Sequence, residues 1–173
     1  MRLYLIGMPG AGKTTLGRAL ATALELPFHD LDEEIVREEG RSVADVFLTE
    51  GEAYFRQREA EVLRDLVDRT PRMVLSTGGG TPCFHQNLEV LLQTGLTLYL
   101  AVSVTELARR LQHAASARPL LAQLPDAAAL ENRLRETLAA RQQFYDRAPL
   151  RCTAPTCTVE SLRHLLATYQ ASA

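Results

Sequence analysis

Residues 3–6 form a short, densely apolar run that stops at Gly7, the pattern of a strand buried on both faces of a parallel sheet. Such a strand belongs at the centre of its sheet. After it, Leu16, Ala19, Leu20, Ala23 and Leu24 recur at helical spacing until Pro27 ends the pattern. Further apolar runs at 73–75 and 96–102 alternate with helical patterns at 88–93 and 104–111. That alternation predicts a doubly wound α/β sheet. Ser42, Val43, Ala44 and Asp45 read as a capping box that opens a helix, and Gly51 separates it from a second helix through Phe55, Val62 and Leu66. Two helices are therefore expected between the second and third strands, in an insertion at 31–60. Residues 112–125 are rich in Ala, carry Pro119 and Pro125, and lie between two helical patterns, which predicts a mobile lid.

A chain of 173 residues that is 46% hydrophobic can bury one core, so residues 1–173 read as a single domain. A net charge of −2, from 19 basic and 21 acidic residues, offers no broad positive field for a polyphosphate backbone, which argues against nucleic acid as a partner. Arg2 before the first apolar run imitates a secretory leader, but Lys13 and Arg18 interrupt any apolar core of one. No apolar run approaches the ~18 residues a membrane span needs. Cys83, Cys152 and Cys157 fit neither a CxxC metal pattern nor a disulfide framework and read as unpaired thiols. The cysteine usage predicts the reducing cytoplasm, and a monomer is expected.

The sequence from Gly7 to Thr14, GMPGAGKT, matches GxxxxGK[ST] and falls after a buried strand and at the start of a helix. Glycines let backbone N–H groups close around phosphates, and the helix N-terminus adds partial positive charge. Lys13 is placed to reach the β- and γ-phosphates of ATP. The Thr14 hydroxyl is the expected Mg²⁺ ligand.

A phosphate loop alone does not choose among kinase, GTPase, motor and regulatory ATPase. Asp30 and Asp32 should leave the carboxyl end of the second strand, beside the crevice where α/β sheets bind ligands. There Asp30 could hold the metal through water, and Asp32 could orient an attacking hydroxyl or take its proton. Two solvated acids at a helix N-terminus fit the same residues. Glu59 shares a helical face with Phe55, Val62 and Leu66, so it is expected to point inward, with Arg56 as its partner and as an anion binder. Arg141 falls on the apolar stripe of Leu130, Leu134, Leu138 and Tyr145; it either extends to solvent or anchors a carboxylate or phosphate. Gly78, Gly79 and Gly80 exclude side chains where a substrate could approach the backbone. Arg118, in the expected lid, is the candidate for stabilising the transferring phosphoryl group.

Together GMPGAGKTT, the Asp30-Leu31-Asp32 triplet, GRSVADVF, GEAYFRQRE, STGGG, RPLL and the late Arg141 resemble shikimate kinase, in order through about four-fifths of the chain. The resemblance implies a P-loop NTPase fold related to nucleoside monophosphate kinases: three layers, α/β/α, with a central five-stranded parallel sheet. It implies conversion of shikimate and ATP to shikimate 3-phosphate and ADP, in the pathway to chorismate and the aromatic amino acids. By matching positions, it makes Asp32, Arg56, Gly79 and Arg141 the shikimate contacts. The stretch Gly10, Ala11, Gly12, Lys13, Thr14 and Thr15 becomes the nucleotide loop, with Thr14 on magnesium. Arg118 becomes the lid arginine and Arg110 the adenine platform. The chain departs from the family at 153–157, where an arginine or asparagine with proline is usual near adenine, and at 113–117, which carry no lysine or acid. Two other readings remain at this point, a kinase for another small acid such as gluconate and a nucleotide-binding module without catalysis.

Overall fold

The computed structural model describes residues 1–114 and 127–172. Five parallel strands make one sheet: β1 (Arg2–Ile6), β2 (Phe28–Asp30), β3 (Met73–Ser76), β4 (Leu96–Ala101) and β5 (Leu150–Thr153), in the order β2-β3-β1-β4-β5. The first strand is central because its apolar run tolerates water on neither face; Leu3, Tyr4, Leu5 and Ile6 are all fully buried.

The connections set the layers. From β1 the chain moves outward through α1 (Lys13–Ala23) to β2, then returns through α2 (Leu31–Glu39) and α3 (Val43–Arg69) to β3, and continues through α4 (Asn87–Thr94) to β4. Right-handed crossovers in opposite directions place helices on opposite faces. In keeping with this, α1 packs against α7 (Val159–Ser172), whereas α3 packs against α4. Two further helices, α5 (Val104–Ala114) and α6 (Ala127–Tyr145), pack together between β4 and β5.

The face of α1 differs in detail from the expected stripe. Lys13, Gly17, Leu20 and Ala21 are buried, and Ala19 is exposed. Gly17 sets the approach of helix to sheet: a Cβ there would come within 2.7 Å of Phe28 and 2.8 Å of Leu5. The capping box is present, with Ser42 Oγ accepting from Asp45 N–H and Asp45 accepting from Ser42 N–H. Gly51 (φ 83°, ψ 173°) breaks α3 where the sequence places a boundary.

Three expectations need correction. A third helix, α2, precedes the two expected between β2 and β3; it starts on the Asp30-Leu31-Asp32 triplet itself, with Asp30 as its N-cap. Neither β5 nor α7 was located from sequence, because β5 is a four-residue edge strand alternating buried and exposed. Finally, Cys152 and Cys157 form a disulfide with Cα atoms 5.6 Å apart, and Cys83 is the free thiol. Their spacing matches no motif because the pairing arises from a local turn after β5, closed by Thr156 N–H on the Thr153 carbonyl (3.1 Å). Beyond Ala114 the expected lid at 112–125, Arg118 included, lies outside the described residues.

Candidate active site

The loop from β1 to α1 turns through Gly7, Gly10 and Gly12, with φ of 142°, 80° and 93°. All three values favour glycine. Gly12 caps α1 without a side-chain hydrogen bond, so the first N–H groups of the helix stay available to an anion. Lys13 is buried and donates from Nζ to the Gly7 and Met8 carbonyls, each at 2.9 Å, holding its ammonium over the loop. Thr15 lines the same cleft from the exposed side of α1. Arg110 on α5 donates from Nε to Glu106 and from Nη1 to the Ala11 carbonyl (3.1 Å), which fixes its guanidinium against the loop. A cavity of about 790 Å³ runs from Arg110 and Cys157 across the loop to Asp32 and Gly79.

At the loop's far end the Thr14 hydroxyl donates to Asp30 Oδ2 at 2.7 Å and lies 3.3 Å from Ser76 Oγ. This group of oxygens, with only one carboxylate, fits Mg²⁺, which takes few protein ligands and keeps waters and phosphate oxygens. The other oxygen of Asp30 accepts from Asp32 N–H, so one carboxylate both caps α2 and faces Thr14. The two aspartates therefore do different work. Burial, reinforced by the negative charges of Asp30 and Glu59 and only partly offset by Lys13 and Arg56, raises the Asp32 carboxyl to about 6.

Glu59 points inward, as its helical phase requires, and is fully buried. Its Oε2 accepts from Arg56 Nη1 at 2.9 Å. The Arg56 guanidinium is also enclosed by phenyl rings, 4.5 Å from the Phe84 centroid and 5.2 Å from that of Phe55. The triple glycine threads between the charged groups. A Cβ on Gly80 would sit 2.6 Å from Arg56 Nη2, and one on Gly79 would sit 3.0 Å from Arg141 Nη1 and 2.6 Å from Pro9. Arg141 does not simply extend to solvent: its Nη1 is buried with no hydrogen-bond partner among the described residues. Thus Lys13, Thr14, Asp30, Asp32, Gly79 and Arg110 line one cleft, and Arg141 and Arg56 lie beside Gly79 and Gly80 at its end.

Sequence reasoning passed over two contributors. Tyr145 was read as one apolar position of a stripe, yet its buried hydroxyl donates to the Gly79 carbonyl at 2.6 Å. Its spacing, one turn after Arg141, was the available signal. Thr81, directly after the glycines, donates to Glu59 Oε1 at 2.5 Å, and no motif marks it.

The geometry has close counterparts. The family profile for shikimate kinase matches residues 9–169. A shikimate kinase of Parabacteroides distasonis is 38% identical over 163 residues, covering 94% of this chain and 93% of that protein. The crystal structure of shikimate kinase from Bacteroides thetaiotaomicron superposes with a TM-score of 0.90 at 37% identity, covering 96% of this chain and 98% of the other. Shikimate kinase from Acinetobacter baumannii, solved in complex with shikimate, gives a TM-score of 0.83 at 34% identity over 99% and 93% of the two chains. With the match spanning nearly the whole length and both halves of the cleft, the chain belongs to the shikimate kinase family.

Proposed function

We propose that the chain transfers the γ-phosphate of ATP to the 3-hydroxyl of shikimate, giving shikimate 3-phosphate and ADP. The observation that carries this reading is the pair of guanidiniums at the triple glycine, Arg56 beside Gly80 and Arg141 beside Gly79, with Asp32 between them and the phosphate loop. Two fixed cations suit a small carboxylate. The partnerless Nη1 of Arg141 leaves a donor for it.

Loop amides from Gly10 to Thr15 cradle the ATP phosphates, and Lys13 exchanges its carbonyl partners for phosphate oxygens. Thr14 and Asp30 would hold Mg²⁺, which would offset the negative charge of the phosphates. Arg56 and Arg141 hold the acceptor carboxylate, Gly79 lets the ring approach the backbone, and Asp32 orients the hydroxyl. The hydroxyl oxygen forms a bond to the γ-phosphorus as the bond to the β-bridging oxygen breaks; the hydroxyl proton passes to Asp32, and ADP leaves. Arg118 stabilises charge on the phosphoryl group in flight, and Arg110 supports the adenine. Residues 31–60 serve as the acceptor-binding insertion and 112–125 as the lid. The protein acts as a cytoplasmic monomer without nucleic acid or membrane as partner. The near-neutral charge supports the absence of a nucleic-acid partner, and among the described residues no helix is long and apolar enough to cross a membrane.

The direct test is ADP release with magnesium and ATP in the presence of shikimate, of gluconate, or of no acceptor. Shikimate-dependent release is expected. Turnover with gluconate alone would replace the acceptor, and ATP binding without acceptor-dependent release would remove the kinase activity.

A further inference from the structure

The acceptor arginine Arg56 pairs with the exposed Glu52 at 3.3 Å and more closely with the buried Glu59, and it is positioned by a chain of buried polar groups that reaches well beyond these ion pairs. Glu59 has two oxygens, and Arg56 uses only Oε2. A fully buried carboxylate with one oxygen unmet is unfavourable and free to rotate. The Thr81 hydroxyl meets that oxygen at 2.5 Å, a charge-assisted contact that fixes the carboxylate plane. Thr81 is itself immobilised. Its carbonyl accepts from Asn87 Nδ2 at 3.1 Å, and Asn87 Oδ1 accepts from Arg64 Nη1 at 3.0 Å. Arg64 closes the circuit on α3 at the Ala60 carbonyl (2.8 Å) and ties in the His85 carbonyl (2.7 Å). Thr81, Asn87 and Glu59 are all 0% exposed, so bulk solvent does not reach them to replace a lost partner.

Resting on the assignment of Arg56 to the acceptor carboxylate, we propose that Thr81 and Asn87 are positioning residues of the acceptor pocket. Thr81 locks the Glu59 carboxylate that holds Arg56, and Asn87 pins the turn that carries Thr81. The path from Arg64 through Asn87, Thr81 and Glu59 to Arg56 joins α3 to the turn after the triple glycine, both walls of that pocket. Packing room is equally tight: a Cβ on Gly78 would lie 3.0 Å from both Glu59 Oε1 and Thr81 Oγ1. Among the described residues, none of the hydrogen bonds in this circuit is made to the phosphate loop.

Steady-state kinetics on the full chain separates positioning from general support. Thr81→Val keeps the shape and removes the hydroxyl; Thr81→Ser keeps the hydroxyl. For Thr81→Val the KM for shikimate should rise roughly tenfold, the loss of one hydrogen bond to a charged group, while the KM for ATP and kcat stay within about twofold. Thr81→Ser should restore most of the loss. In an Arg56→Ala background, Thr81→Val should have no further effect on the shikimate KM. If Thr81→Val does not fold, Thr81→Cys, a poor donor to a carboxylate, takes its place in the same comparison. The proposal falls if the hydroxyl-free variant keeps the wild-type KM for shikimate, if both substrates weaken together, or if serine fails to rescue. Absence of shikimate-dependent turnover in the wild-type chain is a separate outcome that overturns the acceptor assignment itself.

Discussion

The Tyr145 hydroxyl donates a 2.6 Å hydrogen bond to the Gly79 carbonyl, linking the end of α6 to the turn after β3. The ring behind it stacks on Tyr99 of β4, with centroids 5.0 Å apart, so the donor is held from below by the sheet. Arg141, one turn earlier on the same helix, comes over the same glycine. Tyr145→Phe would keep the stack and remove a part-buried hydrogen bond to the Gly79 carbonyl, a cost of about 0.5–1.5 kcal/mol. We expect Tm to fall by several degrees and the KM for shikimate to rise, with the KM for ATP unchanged. Thermal melts paired with kinetics check this. An unaltered Tm and acceptor KM would show that the contact holds nothing in place.

Asp32 carries a stability cost at neutral pH. Its carboxyl, ordinarily near 3.8, is raised to about 6 by burial and by Asp30 and Glu59, so the folded protein binds a proton between those values that the unfolded chain does not. Stability contributed by this group is therefore present below pH 3.8 and declines as pH rises through about 6; at neutral pH the ionised carboxylate costs roughly 2–3 kcal/mol. Asp32→Asn should raise Tm at pH 7.5 in the absence of nucleotide and magnesium, and the gain should vanish towards pH 4. The same variant should lose turnover by orders of magnitude while still binding ATP. Equal Tm values at pH 7.5 would contradict the raised carboxyl, and near-normal turnover would remove Asp32 from the chemistry.

The parts legible in the sequence were those where a local rule and the tertiary environment agree. The 3–6 run needs burial on two faces and receives it in β1; the glycine loop needs the strand and helix that flank it; Ser42 and Asp45 make their box within one turn. Glu59 was readable because a charge in an apolar helical phase demands a partner, and Arg56 is within reach on the same helix. What escaped depends on groups distant in sequence. Thr81 meets Glu59 across 22 positions and Tyr145 meets Gly79 across 66, and neither leaves a periodic trace. Helix α2 was only half legible: the triplet offered a strand end or acids at a helix N-terminus as alternatives, whereas Asp30 serves as strand end, helix cap and Thr14 acceptor at once.

The two arginines proposed to hold the acceptor should separate on stability. Arg56→Ala strands Glu59, a fully buried carboxylate, so a loss of about 3–5 kcal/mol is expected. Arg141→Ala removes a guanidinium that hydrogen-bonds the Tyr145 hydroxyl and whose Nη1 is buried with no partner among the described residues, so Tm should fall far less than in Arg56→Ala. Losing one charged contact to the acceptor should raise the KM for shikimate roughly 10- to 100-fold in Arg141→Ala, with little change for ATP. An Arg141→Ala protein as destabilised as Arg56→Ala would mean that Arg141 supports the fold rather than the substrate.

Neighbouring glycines should give different kinetic faults because their missing side chains face different neighbours. A methyl on Gly79 would lie 2.6 Å from Pro9 Cδ and 2.9 Å from its Cγ, inside any tolerable contact, and the proline ring has no rotamer to yield. Either the phosphate loop or the turn after β3 must move, so Gly79→Ala should weaken ATP and shikimate together and lower kcat by about 100-fold, the scale on which a displacement near 1 Å acts. A methyl on Gly80 instead meets the Arg56 guanidinium, 2.6 Å from Nη2, the end of a long side chain that can swing away only by leaving Glu59. Gly80→Ala should therefore damage shikimate binding and stability while sparing the KM for ATP. Measuring both KM values and Tm for the two variants decides the matter. If Gly79→Ala spares ATP, the phosphate loop and the acceptor turn do not bear on each other through Pro9.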